Sequence, residues 1–324
     1  MAKRSRSPRR QTAEQRAAAR EAVSTGQALA RQVLAARREG LRRRAAAVRR
    51  EGPRIRARAL AMTPQRVRAA GVPAAGVLVA EGDSWFDYPM NDVLSRLEDD
   101  YGYDVESVAK KGHRVEDMAY TGTQLDDFTR TIEKLLRRGI VPTAILVSGG
   151  GNDVAGDEFG MLLDHAKSPT PGLNEDVVRG VIDQRVRHAY ITILTAVTAL
   201  CRAKIGTEIR MLVHGYDHPV PDGRGFAGGW GPLPGPWLEP GFRQKGFLHL
   251  DATTRIAAAL IDRFNVMLRG VVAMPEFAHV RYVDLRGTLS NGPGYRRWWA
   301  NELHPTPRGF AAVAEKFANA VVRA

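Results

Sequence analysis

From about Val72 to the C-terminus, short apolar runs alternate with longer amphipathic stretches. That alternation constrains the fold more than any other feature of the chain. Strands are expected over Gly76 to Ala80, Asp104 to Ala109, Thr143 to Ser148, Glu208 to Val213 and His279 to Leu285. Helices are expected over Asp92 to Asp99, Leu125 to Arg138, Glu175 to Lys204, Thr253 to Val272 and Gly309 to Val322. Strands separated by helices are joined by crossovers rather than hairpins, which gives a parallel sheet covered on both faces. The expectation is therefore an α/β domain with a five-stranded parallel sheet over residues 71–324, and no internal repeat is visible.

The net charge of +13 is not spread evenly. Residues 1–70 carry 20 Lys and Arg against four Asp and Glu, whereas the rest carries 28 against 31. This segment has no aromatic residue and is rich in Arg and Ala, both good helix formers. It reads as a basic helical or disordered N-terminal arm, with a conditional helix over residues 12–50, and first of all as a solvated tail or helical extension. Weak binding to nucleic acid or an anionic surface is the second reading. It lacks the aromatics that would stack on bases. Arg9-Arg10 is not followed by an apolar run, so no export signal is read and a cytoplasmic location is expected. No apolar stretch is long enough for a transmembrane helix. Cys201, the single cysteine, lies in an apolar helical run and is expected to be a buried thiol.

Chemistry concentrates at the ends of the expected strands. Val77 to Ala80 runs into Glu81-Gly82-Asp83-Ser84-Trp85, which places Ser84 on a turn where open α/β sheets build their sites. Gly112 follows the second strand, Asn152 follows the glycine run after the third, and His304 lies on a short loop fixed by Pro305. Together these supply a hydroxyl, an imidazole and oxyanion donors, the parts needed for acyl transfer. His304 is the expected base for Ser84. The backbone N–H groups of Ser84 and Gly112 and the amide of Asn152 are the expected oxyanion donors.

This ordered set resembles the SGNH (GDSL-type) hydrolase superfamily. That family has Ser in an early Gly-Asp-Ser block, Gly in a second block, Asn in a Gly-x-Asn-Asp block and His in a late Asp-x-x-His block. Ser84, Gly112, Asn152 and His304 match in type and order, and the likeness spans about residues 76–324. The resemblance implies a three-layer flavodoxin-like fold, a serine nucleophile, a histidine base and no cofactor or metal. One position departs from it. Where the family has Asp three residues before the histidine, this chain has Asn301. An asparagine carbonyl can orient the imidazole but offers it no full charge. Glu302 is an alternative acid, and a weakened site is a third outcome. Asp83 and Asp153 are expected to hold loops.

Residues 219–248 form a Gly/Pro-rich insertion with several aromatics, expected as a lid over the edge that carries Ser84. His214, Tyr216, Asp217 and His218 precede it. Their spacing fits no metal motif, so Tyr216, Asp217 and His218 are read as substrate-binding or structural, and Trp85 either as packing under the first helix or as a wall for the substrate. The expected activity is hydrolysis of a carboxylic ester, small or polymeric. A lipase or an O-acetyl-polymer deacetylase remains open, as does a degenerate domain whose arm binds polyanions. Oligomeric state is not legible.

Overall fold

The structure, a computed structural model, describes residues 12–31, 34, 35, 38, 75–89, 91–228 and 234–322. Most of the basic segment, including the expected boundary at residue 70, lies outside the described residues. Helix α1 spans residues 13–31. Five parallel strands follow: β1 (Val77–Glu81), β2 (Asp104–Ser107), β3 (Ala144–Val147), β6 (Met211–His214) and β7 (Val280–Val283). A two-residue antiparallel pair, β4 (Leu163–Asp164) with β5 (Gly172–Leu173), stands apart from the sheet.

The sheet order is β2-β1-β3-β6-β7. The connection from β1 leads outward to β2, while every later connection moves the other way. This is the flavodoxin-like order, with its switch point between β1 and β3. Residues of β1, β3 and β6 are almost all buried, as strands covered on both faces must be.

Helices α2 (Val93–Tyr101) and α9 (Pro307–Val322) pack together, while α3 (Val115–Tyr120), α4 (Gly122–Arg137), α6 (Arg187–Ile205) and α8 (Leu250–Val272) pack through α6. Right-handed crossovers from a sheet of this order put these two groups on opposite faces. The three-layer α/β architecture is as expected. The long helix foreseen over Glu175 to Lys204 is composite: α5 (Glu175–Val178), a π-helical turn over Arg179–Val186, then α6. Helices α3 and α7 (Glu239–Gln244) are too short to leave a periodic signal.

Helix α6 is apolar nearly all round, which a helix on the outer layer cannot be unless something covers it. The cover is α1. Ala19, Ala22 and Ala30 are buried, and Gly26 lies so close that an added Cβ would come within 2.8 Å of the Thr195 Cβ. Arg16, Arg20 and Arg31 stay on the exposed face. The helix expected within residues 12–50 is present over 13–31, and it is docked rather than a solvated tail: small side chains spaced three and four apart make a packing face that the arginines mask in composition.

Candidate active site

The turn after β1 carries Ser84. Gly82 is required there, because a Cβ would meet the Phe86 ring at 2.9 Å and the Ser148 Cβ at 2.9 Å. Asp83 is buried and accepts from Trp85 N–H (3.0 Å), Ser148 Oγ (2.8 Å) and the Tyr216 hydroxyl. These bonds fix the turn, and Ser84 is left partly accessible.

Ser84 Oγ lies 2.7 Å from His304 Nε2, and His304 Nδ1 lies 2.9 Å from Asn301 Oδ1. Asn301 Oδ1 also accepts from the backbone N–H groups of Leu303 (3.0 Å) and His304 (2.9 Å). An atom accepting two N–H groups is the amide oxygen, so Nδ1 of His304 must carry the proton. Nε2 is then an acceptor for the Ser84 hydroxyl. Asn301 Nδ2 donates to the Tyr88 hydroxyl (3.0 Å), and the Tyr88 ring stacks on the imidazole at 4.3 Å. The Trp237 ring packs against the same imidazole at 5.4 Å. Burial lowers the His304 pKa to about 3. The base is therefore neutral across the working range, but no carboxylate compensates the charge it must acquire.

Asn152 donates through Nδ2 to the carbonyl of His113 (2.9 Å), which holds the third block against the second. Asp153 accepts from Val115 N–H (2.9 Å) and anchors the start of α3, a loop-holding role as expected. Gly112 adopts φ 87°, a left-handed conformation that only glycine takes readily. Among the described residues, the N–H groups of Gly112 and Ser84 reach no protein acceptor. Both are free to receive an anionic oxygen.

A mostly apolar cavity of about 60 Å³ opens beside Ser84 and Asn152. Trp85, Tyr216 and Asp217 line it, but their polar atoms are engaged elsewhere. Trp85 Nε1 donates to the Leu303 carbonyl (3.0 Å), and Asp217 accepts from the N–H groups of His218, Gly287 and Leu289. His218 does not line the cavity and instead faces Asp262 on α8 at 3.0 Å. Among the described residues, no group of three or more His, Cys, Asp or Glu is placed to hold a metal ion.

Glu302 does not reach His304, which corrects its candidacy as the acid. Its buried carboxylate accepts from the N–H groups of Gly223 (3.0 Å), Trp237 (2.6 Å), Leu238 (2.8 Å) and Glu239 (3.0 Å). It thereby pins the described parts of the 219–248 insertion over the site. Sequence reasoning missed this role, and it missed Tyr88 as a support for the imidazole. Both are tertiary contacts, although the Tyr four residues past the serine was a hint. It also missed Glu81, buried at the end of β1, which pairs with His113 Nδ1 at 3.1 Å.

A second serine–histidine contact exists. Ser148 Oγ lies 2.8 Å from His214 Nε2, with Asp83 on the serine rather than on the histidine. Ser148 and His214 are fully buried. The Ser148 hydroxyl has one proton, and it goes to Asp83. His214 Nδ1 accepts from Tyr216 N–H (3.3 Å), so its Nε2 donates to Ser148. That network stabilises the turn and leaves no basic nitrogen free for Ser148.

No family model matches the chain, and no curated protein matches it in sequence. Solved structures with a similar arrangement include an α/β hydrolase, LAE5, from the metagenome of Lake Arreo, Spain. It is 15% identical, with a TM-score of 0.40, over 77% of this chain and 96% of that one. A catalytic mutant of Axe2, an acetylxylan esterase from Geobacillus stearothermophilus, is 13% identical, with a TM-score of 0.38, over 78% and 97%. A carbohydrate esterase of family 3 from Talaromyces cellulolyticus is 14% identical, with a TM-score of 0.40, over 76% and 96%. Likenesses this distant carry no argument about the reaction, which rests on the site's own geometry. Ser84, Gly112 and Asn152 lie in the segments that follow β1, β2 and β3 of this flavodoxin-like sheet, and His304 lies on the segment between β7 and α9.

Proposed function

We propose that this protein hydrolyses carboxylic esters through an acyl-enzyme on Ser84. One observation carries the reading: the line of hydrogen bonds from Ser84 Oγ through His304 to Asn301 Oδ1. As Ser84 Oγ attacks the ester carbonyl, its proton passes to His304 Nε2, and the carbonyl oxygen becomes an oxyanion. The N–H groups of Ser84 and Gly112 and the Asn152 amide take that charge. When the tetrahedral intermediate collapses, Nε2 returns the proton to the leaving alcohol. A water then gives its proton to Nε2 and attacks the acyl carbon, and the second collapse restores Ser84 and releases the acid.

Asn301 fixes the tautomer but adds no negative charge, so the imidazolium is stabilised less than in a site with a carboxylate. A moderate turnover follows, not an inert site. The distinguishing experiment compares p-nitrophenyl ester hydrolysis by the wild type, Ser84→Ala and Ser148→Ala. Loss of about 10³-fold or more in Ser84→Ala is expected. In Ser148→Ala the nucleophile remains and the turn around it loosens. If Ser84→Ala kept wild-type turnover while Ser148→Ala lost it, the assignment would be overturned.

A further inference from the structure

We infer that the cavity beside Ser84 is an acyl pocket that selects unbranched chains of about four to six carbons, an inference that rests on the serine-esterase reading. The first argument is placement. The cavity is lined by Ser84 and Asn152 but not by His304. His304 must hand its proton to the leaving alcohol, so the alcohol departs on the imidazole side. The group attached to the other side of the carbonyl carbon then enters the cavity.

The second argument is chemistry. The walls come from Val154 and Phe159 after β3, Leu238 of the insertion, and Ala257, Leu260 and Ile261 of α8. The polar side chains at its margin, Asp83, Tyr216 and Asp217, spend their hydrogen bonds on the protein itself. Beyond the Asn152 amide next to the reacting carbonyl and the unpartnered Trp299 Nε1, a sugar or a charged acid would find no free partner there, whereas a hydrocarbon chain would lose little by entering.

The third argument is size. A water-sized group needs about 10–15 Å³ of space measured this way, and a methylene is of similar bulk. The 60 Å³ cavity therefore takes roughly four to six such groups. An acetyl group would leave most of it empty, and an octanoyl chain would overrun it.

Each methylene that enters is expected to raise kcat/KM about fourfold, so hexanoate should exceed acetate by about 10²-fold. The test is kcat/KM for p-nitrophenyl acetate, butyrate, hexanoate, octanoate and decanoate with the full-length protein, together with labelling of Ser84 by a fluorophosphonate. Two variants accompany it. Ala257→Phe adds a ring to the cavity wall and should lower the hexanoate-to-acetate ratio at least tenfold. Leu260→Ala enlarges the cavity and should move the optimum toward octanoate. Labelling at Ser84 with acetate as the best substrate would overturn the inference and leave the esterase reading standing. Labelling with a medium-chain optimum that neither variant moves would also overturn this pocket assignment. Absence of both labelling and hydrolysis would overturn the esterase reading, and the inference with it.

Discussion

Replacing Asn301 by Asp restores the carboxylate that the four-block resemblance leads one to expect, and the structure fixes what should follow. Asn301 is 1% exposed, so the new charge would be buried. Its first oxygen would inherit the three N–H donors now held by Oδ1, from Leu303, His304 and the imidazole. Its second oxygen would face the Tyr88 hydroxyl, now an acceptor from Nδ2, which can turn and donate. Both oxygens would be satisfied, and the residual desolvation cost should be about 1–2 kcal/mol of stability.

The catalytic gain comes from the His304 Nδ1–H contact. A hydrogen bond to a charged acceptor contributes about 1–1.5 kcal/mol more than a neutral one, and the difference grows as the imidazole becomes cationic. Turnover should rise about five- to tenfold, and Tm should fall by a few degrees. The histidine pKa, held down to about 3 by burial alone, should move up, shifting the acid limb of the kcat/KM profile to higher pH. Steady-state kinetics from pH 3 to 9 with thermal melts would read all three. If kcat dropped and the acid limb stayed in place, Asn301 would not be the group that orients His304.

Other expectations follow from single contacts. Glu302→Gln turns an amide N–H₂ toward two of the four N–H groups that the carboxylate now accepts, at a cost of roughly 3 kcal/mol. Tm should fall by about 4–5 °C, and an unchanged melt would sink the idea that this carboxylate anchors the insertion. Gly26→Leu should prise α1 from α6 and let it unfold, so that trypsin cuts faster after Arg16, Arg20 and Arg31, which already lie on its exposed face; the wild-type cleavage pattern in the variant would refute the docking. Glu81 is pushed up to about 8 by burial, with Asp127 and Asp83 raising it further and Lys110 opposing, beside a His113 whose own pKa is lowered. Its folded pKa exceeds its unfolded value, so its contribution is complete below about pH 4.5 and is lost as the pH rises to 8. Asp153, raised from 3.8 to about 6, loses its contribution as the pH rises to about 6, and His304 and His214, both lowered to about 3, cost stability only as pH falls below 6.5. Near pH 6.5 the slope should approach about 1.4 kcal/mol per pH unit, fall to about half that at pH 8, and flatten in Glu81→Gln. An identical slope in that variant would remove Glu81 from the account.

Local chemistry made much of this protein readable before its structure. The strands at β1, β3 and β6 announce themselves as apolar runs because both of their faces are covered, and a strand end followed by glycine locates Ser84, Gly112 and Asn152. Cys201 is buried as its apolar surroundings implied, its thiol pushed up to about 12. Only the tertiary structure decided the rest. Asn301 and His304 lie more than two hundred residues from Ser84, and nothing in the chain states the 2.7 Å that joins them. The acid beside Asn301 turns away because four N–H groups of a distant segment outbid the imidazole for it. The helix over residues 13–31 was legible as a conditional helix or a solvated tail, but not as a docked one, because composition averages the faces of a helix. The alanines that dock it acquire meaning only against α6, whose excess of apolar surface was visible in the sequence but not what would cover it. Periodicity and turn chemistry are properties of neighbours along the chain, whereas a catalytic relay, an anchored insertion and a docked helix are properties of neighbours in space.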